Sequence, residues 1–364
     1  MSYICKPILP VSTTDAPPSF SNMGLGAVRG VFVLLILTVW LTLAAAMIWS
    51  VLTLLKGLNG GTLFELVIGL ITIATIIWAF FPRLDTPPPT ELCINKDEFP
   101  ALYGMVAQVA SALNIPMPRL VLTEQYTASF GRFGWQQTPV LFLGHGLLSI
   151  VSRTEMTMLL AHELYHVYNS GWTHTRVVKI TAGGVYNLLW LLSLQPLRKW
   201  EGVPRPLQLP LAPLMLLMYL FRWCTAYEMR HIEVEADEAA LLFSPSHVME
   251  SLMRKTALRH VPPVQNAYIG ASAENKYAAI RAASDEVDPI QFGKLWQAVL
   301  QTQLGPFDRH PTVAQRIAMA REQGQQRVRP LLTMHTYSLA HQELKRWPLW
   351  LDAIEKRVKR LELS

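Results

Sequence analysis

Charge is scarce in this chain. Lys, Arg, Asp and Glu make up 16% of its 364 residues, against about 25% in soluble domains. Hydrophobic residues make up 51%. That balance excludes a disordered or acidic-tail protein and indicates that part of the chain sits in a membrane. Dense Lys/Arg tracts are missing too. The formal net charge of +6 is spread thinly, which argues against a nucleic-acid partner and suits an anionic membrane face. Cysteine is rarer still. Cys5, Cys93 and Cys224 are far apart and form no CxxC. A disulfide scaffold and a thiolate zinc site are thereby excluded, and a reducing compartment is the simpler setting. No internal repeat is visible, which removes solenoids and propellers.

What the chain does have is long apolar runs. Gly30 to Leu55 is uncharged between Arg29 and Lys56, longer than the about 20 apolar residues that cross a bilayer core. It begins too late and runs too long for a cleaved signal peptide. A second run, Leu66 to Pro82, follows the turn at Gly60-Gly61, and Arg83 with Pro87-Pro88-Pro89 closes the hairpin. Two weaker runs, Ile180 to Leu197 and Pro206 to Phe221, contain Asn187, Pro210 and Pro213. They are expected either to span or to form buried or re-entrant helices. The expectation is therefore two transmembrane helices and up to four, in a multi-pass protein of the cell membrane. Lys6, Arg29, Arg83, Lys96, Arg176, Lys179, Arg222 and Arg230 flank one side of these runs, against Lys56, Arg198, Lys199 and Arg205 on the other. This excess puts the N-terminus and the long polar segments in the cytoplasm, with the 198–205 loop outside it if both weak runs span.

The polar remainder reads as α+β and mostly helical. Strands are expected at Arg119–Thr123 and Thr138–Leu143. Helices are expected at 97–113, 152–168, 222–242, 246–258, 276–284, 289–303, 311–323 and 337–361. Ser152 and Glu155 have the spacing of a capping box that starts the second of these.

Inside that helix lies His162-Glu163-Leu164-Tyr165-His166. Positions i and i+4 share a helix face, so the two imidazoles can hold one Zn²⁺, and Glu163 beside them can take a proton from an attacking water. Leu159, Leu160, Ala161, Leu164 and Val167 make the helix a buried one, where two histidines and a glutamate need partners. A catalytic zinc takes three protein ligands. The helix at 222–242 offers Glu228, His231, Glu233, Glu235, Asp237 and Glu238. Glu233 and Asp237 share a face, with small Ala236 beside them to let helices approach. A second carboxylate one turn from a ligand can fix the tautomer of a ligating histidine. His145, between Gly144 and Gly146, reads as a turn residue.

These motifs, with His310-Pro311 and Arg316 downstream, resemble the membrane zinc metallopeptidases of the HtpX and CAAX prenyl endopeptidase type, peptidase family M forty-eight. The similarity covers residues 95–325 or so and rests on HELYH and on Glu233-Val234-Glu235-Ala236-Asp237, an ExxAD pattern. It implies a zincin-like metallopeptidase domain with a small sheet and one zinc per chain. It implies His162, His166 and Glu233 as zinc ligands, Glu163 as general base, Asp237 and Arg316 behind the ligands, and His310 stabilising the tetrahedral intermediate. The implied activity is zinc-dependent endopeptidase, acting on polypeptides such as misfolded membrane proteins at the lipid bilayer, in membrane protein quality control. A catalytically silent membrane scaffold or binding protein of the same fold is the alternative, which the complete ligand set and Glu163 disfavour. Where family members carry Asn-Ala-Phe or Asn-Ala-Ser before the cleft strand, this chain has Thr127-Ala128-Ser129-Phe130, so that Asn contact is not carried over. The expected cleft strand is Pro139 to Leu143, with an edge free to pair with an extended peptide. The domains expected are a flexible tail 1–26, a transmembrane hairpin 27–83, a metallopeptidase domain 84–330 interrupted by the apolar hairpin 177–221, and a C-terminal helical extension 331–364.

Overall fold

The computed structural model describes residues 22–59, 62–81, 86–89, 92–169, 176–191, 205–272, 274–323 and 331–362. The expected N-terminal tail through residue 21 and the 192–204 stretch, with most of its 198–205 loop, lie outside the described residues. In chain order the elements are α1 (Asn22–Leu58), α2 (Leu63–Phe80), β1 (Cys93–Ile94), α3 (Pro100–Ala112), β2 (Arg119–Thr123), β3 (Ala128–Phe133), β4 (Thr138–Gly144), α4 (His145–Leu148), α5 (Arg153–Tyr168), α6 (Arg176–Leu191), α7 (Arg205–Leu241), α8 (His247–Ala257), α9 (Pro262–Gly270), α10 (Lys276–Asp285), α11 (Pro289–Leu300), α12 (Val313–Glu322) and α13 (Met334–Glu362). The fold is mostly helical with one small mixed sheet, as the sequence pattern indicates. Two compact units are present: Met1–Arg83 with Gly171–His231 and Pro306–Arg309, and Leu84–Ser170 with Ile232–Gly305 and His310–Ser364.

In the first unit, α1 and α2 are long and apolar enough to cross a membrane. Their leucines and isoleucines point outward: Leu34, Leu41, Ile48, Leu63, Leu70 and Ile71 are each more than half exposed. Lipid would cover such a surface. The hydroxyls of Thr38, Thr42, Ser50, Thr53 and Thr72 donate to the carbonyl four residues back, so none needs water at depth. Small residues let the two helices close. A Cβ on Gly57 would meet the Leu66 backbone nitrogen at 2.7 Å, and one on Gly69 would meet the Ser50 carbonyl at 3.0 Å. Among the described residues no other helix passes as a membrane span by length and composition. The run expected at 206–221 lies in the first part of the single helix α7, which continues through Pro210 and Pro213. Within this unit, Asn187 donates to the Ala79 carbonyl at 2.8 Å, and Arg29 pairs with buried Glu228 at 2.8 Å.

The second unit is built around α5. Met156, Met158, Leu160, Ala161 and Leu164 on it are at most 1% exposed, and Glu155, Thr157, His162 and Glu163 are buried with them, so the helix belongs at the centre of a core with polar groups that need partners. The capping box that the sequence announces is formed. The Ser152 hydroxyl accepts from the Glu155 amide, and the Glu155 carboxylate accepts from the Ser152 amide. The sheet order is β1-β2-β4-β3, with β2 and β4 parallel and the outer pairs antiparallel. β4 lies inside the sheet, which explains its continuous apolar run, with Val140, Leu141 and Leu143 fully buried.

The C-terminal helix α13 packs on α3 through buried polar contacts. α3 starts at Pro100 without a capping side chain of its own. Glu343 of α13 fills the gap: its carboxylate accepts from the Ala101 amide at 2.9 Å and the Leu102 amide at 2.7 Å. Pro348 lies within α13 and has no N–H for the Leu344 carbonyl four residues back. His145 supplies the missing donor, with Nε2 2.9 Å from that oxygen and its ring stacked on Trp347. His145 is therefore a buried anchor of α13 at the start of α4, and burial pushes its pKa down to about 4. Glu343→Ala should cost about 2–3 kcal/mol, since two buried amides lose a charged acceptor. Urea denaturation of the solubilised protein checks this, and an unchanged midpoint would contradict the capping role.

Candidate metal centre and active site

His162 and His166 lie one turn apart on α5, with Nε2 atoms 3.3 Å from each other. Glu233 comes from α7. Its Oε2 is 3.4 Å from His162 Nε2, and its Oε1 is 3.4 Å from His166 Nε2. Two bonds of about 2.0–2.1 Å at a tetrahedral angle hold their donor atoms about 3.3–3.4 Å apart. The two imidazole nitrogens have that separation, and each lies the same distance from one of the two Glu233 oxygens, so a single ion can lie within reach of all three side chains. Glu233 Oε2 is buried and makes no hydrogen bond, an acceptor left for a cation rather than for a protein donor. The donor set therefore fits a metal ion, and two imidazoles with one carboxylate suit zinc. The three residues form the cluster able to hold a metal among the described residues.

Behind the ligands stands a second layer. Asp237 Oδ1 lies 2.9 Å from His162 Nδ1, which leaves Nε2 as the lone-pair nitrogen facing Glu233. Arg316 on α12 grips Asp237 with two hydrogen bonds, Nε to Oδ2 at 2.7 Å and Nη2 to Oδ1 at 2.5 Å. Asp237 is fully buried, so this fork is what keeps it charged. Glu235 faces elsewhere and accepts from Tyr165 Oη at 3.0 Å and Asn169 Nδ2 at 2.5 Å. It fastens the end of α5 to α7. Tyr165 and Asn169 escape a reading of the sequence because Tyr165 fills a variable place of HExxH and Asn169 lies beyond it. His310 brings Nδ1 to 3.1 Å from Glu233 Oε1 and is 65% exposed, so its ring is open to the solvent side of the cluster.

Titration in the metal-free site follows from these contacts. Burial opposes charge on both imidazoles, but Asp237 and Glu233 overcome it at His162 and push its pKa up to about 10. His166 is pushed down to about 3 by burial and by the charge on His162. The positive charge that this pair and Glu233 attract thus resides on one ring. Glu163 is buried beside them; burial raises its carboxyl above the ordinary value, partly offset by His162.

The edge available for a peptide differs from the one expected. β4, which contains Pro139 to Leu143, has both edges occupied, by β2 and by β3. The outer strand is β3, which includes Ala128-Ser129-Phe130. It pairs back onto β4 as a hairpin, so β4 is inserted between β2 and β3. Arg132 on β3 donates to the Val167 carbonyl at 2.9 Å, tying this strand to α5 one residue past His166.

A model of Peptidase family M48 matches residues 96–323. The chain belongs to this family. Among curated relatives of this M48 family member, the "Protease HtpX homolog" of Pelotomaculum thermopropionicum is 28% identical over 138 residues, covering 36% of this chain and 48% of that protein. The one from Bifidobacterium longum is 29% identical over 133 residues, 35% of this chain and 43% of the relative. The one from Limosilactobacillus fermentum is 23% identical over 260 residues, 64% and 84% respectively. The chain thus spans about half the length of the first two relatives and most of the third. No solved structure matches it.

Proposed function

We propose that this M48 family member is an integral-membrane, zinc-dependent endopeptidase. His162, His166 and Glu233 hold one zinc per chain. When bound, zinc supplies a Lewis acid that polarises the scissile carbonyl and makes a water acidic enough to attack. Glu163 accepts the proton of that water and later hands it to the leaving amine. Asp237, held by Arg316, keeps His162 in the tautomer whose Nε2 faces the metal. His310, on the open side, donates to the developing oxyanion. The free edge of β3 pairs with the backbone of an extended substrate. The active site faces the cytoplasm of a multi-pass protein, and misfolded membrane proteins are the substrates. Residues 27–83 form the membrane hairpin, 84–330 the peptidase domain around the 177–221 insertion, and 331–364 the extension carried by α13.

The observation that carries this proposal is the trio His162, His166 and Glu233 from two helices, whose donor atoms converge within 4.8 Å of one another. The test is metal dependence of the purified protein in detergent. Chelation should remove the zinc and abolish cleavage of an unfolded polypeptide such as casein, and zinc should restore both. Cleavage that survives complete zinc removal would contradict it.

A further inference from the structure

Two buried histidines hold α13 in the second unit, and neither takes part in the metal site. His145, at the start of α4, is fully buried. Its ring stacks on Trp347 of α13 with centroids 5.0 Å apart, and its Nε2 donates to the Leu344 carbonyl. His341, on α13 itself, is buried with its Nδ1 2.5 Å from Tyr277 Oη of α10. The Tyr337 ring, one turn back on α13, lies 4.3 Å from the His341 ring between centroids. Tyr277 meets both imidazoles edge-on. His145, Tyr277 and His341 thus form one polar seam in a dock whose apolar part is made by Ala340, Leu344 and Trp347, all fully buried.

This seam suits neutral rings only. His145 Nε2 carries the proton given to Leu344, so its Nδ1 bears the lone pair, and that nitrogen is buried without a hydrogen bond. Tyr277 Oη receives Arg281 Nη1 at 3.3 Å, so its single proton goes to His341 Nδ1. His341 Nε2 is also buried without a hydrogen bond. A second proton on His145 would sit on Nδ1 with no acceptor among the described residues. On His341 it would displace the phenol's proton from Nδ1. The charges that face the rings add to the opposition. Arg281 of α10 and Lys345 of α13 lie 5.8 and 5.6 Å from the Tyr277 ring centroid, and both oppose charge on His341. Lys276 of α10 opposes it on His145, where Glu124, its ion-pair partner just after β2, favours it. Tyr337 spends its proton on the Val151 carbonyl.

We infer that His145 and His341 form an acid-sensitive latch: protonation of the pair releases α13, and with it the Glu343 carboxylate that caps α3. Burial first, and then the nearby cations, holds each imidazole down at about 4 in the docked state, against about 6.5 in a free chain. Below 6.5 the released state binds protons that the docked state does not. Docking therefore weakens as pH falls from 6.5 towards 4, and above 6.5 it does not depend on these groups. Each histidine should favour release about 30-fold at pH 5, and the two together about 10³-fold. α3 packs on α5, so release removes support from the helix that carries HExxH.

The experiment is amide hydrogen exchange on the full chain in detergent between pH 7.5 and 5.0, with each rate corrected for the intrinsic pH dependence of exchange. It is run with and without a chelator, so that loss of metal in acid is separated from release of α13. The amides of Ala101 and Leu102 report release directly, because Glu343 holds them, and those of 337–347 report α13 itself. Their opening constants should rise about 10²–10³-fold across this range, while those of α8 change less than about threefold. His145→Gln keeps a donor for the Leu344 carbonyl, and His341→Asn keeps a polar group for Tyr277; neither titrates. Each variant should lose about 30-fold of the pH response, and the double variant should be flat. A wild-type response below about threefold, a rise in α8 equal to that in α13, or a full response kept in the double variant overturns the inference. The first two outcomes are read on wild type alone, so they decide even if a variant fails to fold, and no readout needs peptide cleavage.

Discussion

Glu163→Gln is expected to keep its zinc and its fold and to lose about 10²–10⁴ of its peptide turnover, the usual contribution of a general acid–base group. Glu163 follows His162 directly on α5 and makes no part of the donor trio, so the amide leaves the ligands untouched. Gln also preserves the shape of a buried side chain, so packing changes little. What it removes is the ability to take a proton. The structure favours that role: burial raises the Glu163 carboxyl, the charge of His162 works against the rise, and Glu233 adds to it. A carboxylate lifted in this way is a better base near neutral pH than an exposed one. Zinc per chain by mass spectrometry and casein cleavage in detergent together check the outcome. A variant with more than a tenth of wild-type turnover would remove Glu163 from the mechanism.

The parts of this molecule legible in the sequence are those encoded over one or two helical turns. The capping box of Ser152 and Glu155 and the shared face of His162 and His166 each need only a local spacing, and both stand in α5. The apolar runs of α1, α2 and β4 are equally local. The rest depends on partners far apart in the chain. Gly131 interrupts the alternation that would mark β3 as a strand, and nothing local tells that β4 inserts between it and β2. Pro210 and Pro213 suggest a broken segment, yet α7 absorbs them in its first turns. His145 looks like a turn residue between two glycines, and only the carbonyl freed by Pro348, 199 residues from its donor, explains it. His310 stands out only through resemblance to the family, since an exposed histidine before a proline carries no local signal of its own.

Glu233→Ala is expected to abolish tight zinc binding, while Glu235→Ala keeps it. The two residues lie within about 3 Å of helix rise but about 200° apart around the axis, and the geometry separates their work. Glu233 offers one oxygen within 3.4 Å of each ligand imidazole, whereas the Glu235 carboxylate is occupied by Tyr165 and Asn169. Without Glu233 the site keeps only two imidazole donors, one fewer than the three protein ligands that a catalytic zinc takes. Removing Glu235 instead frees the end of α5, a stability cost of about 1–2 kcal/mol from lost hydrogen bonds. Asp237→Asn falls between the two. The amide cannot stabilise the His162 Nδ1 proton as a carboxylate does, and it leaves Arg316 buried without its counter-charge, so affinity should drop about 10–100-fold. Metal content of the three purified variants, titrated against a zinc buffer, gives the order Glu233 below Asp237 below Glu235. Zinc lost from Glu235→Ala but kept in Glu233→Ala would place the metal on the opposite face of α7 and dissolve the proposed ligand trio.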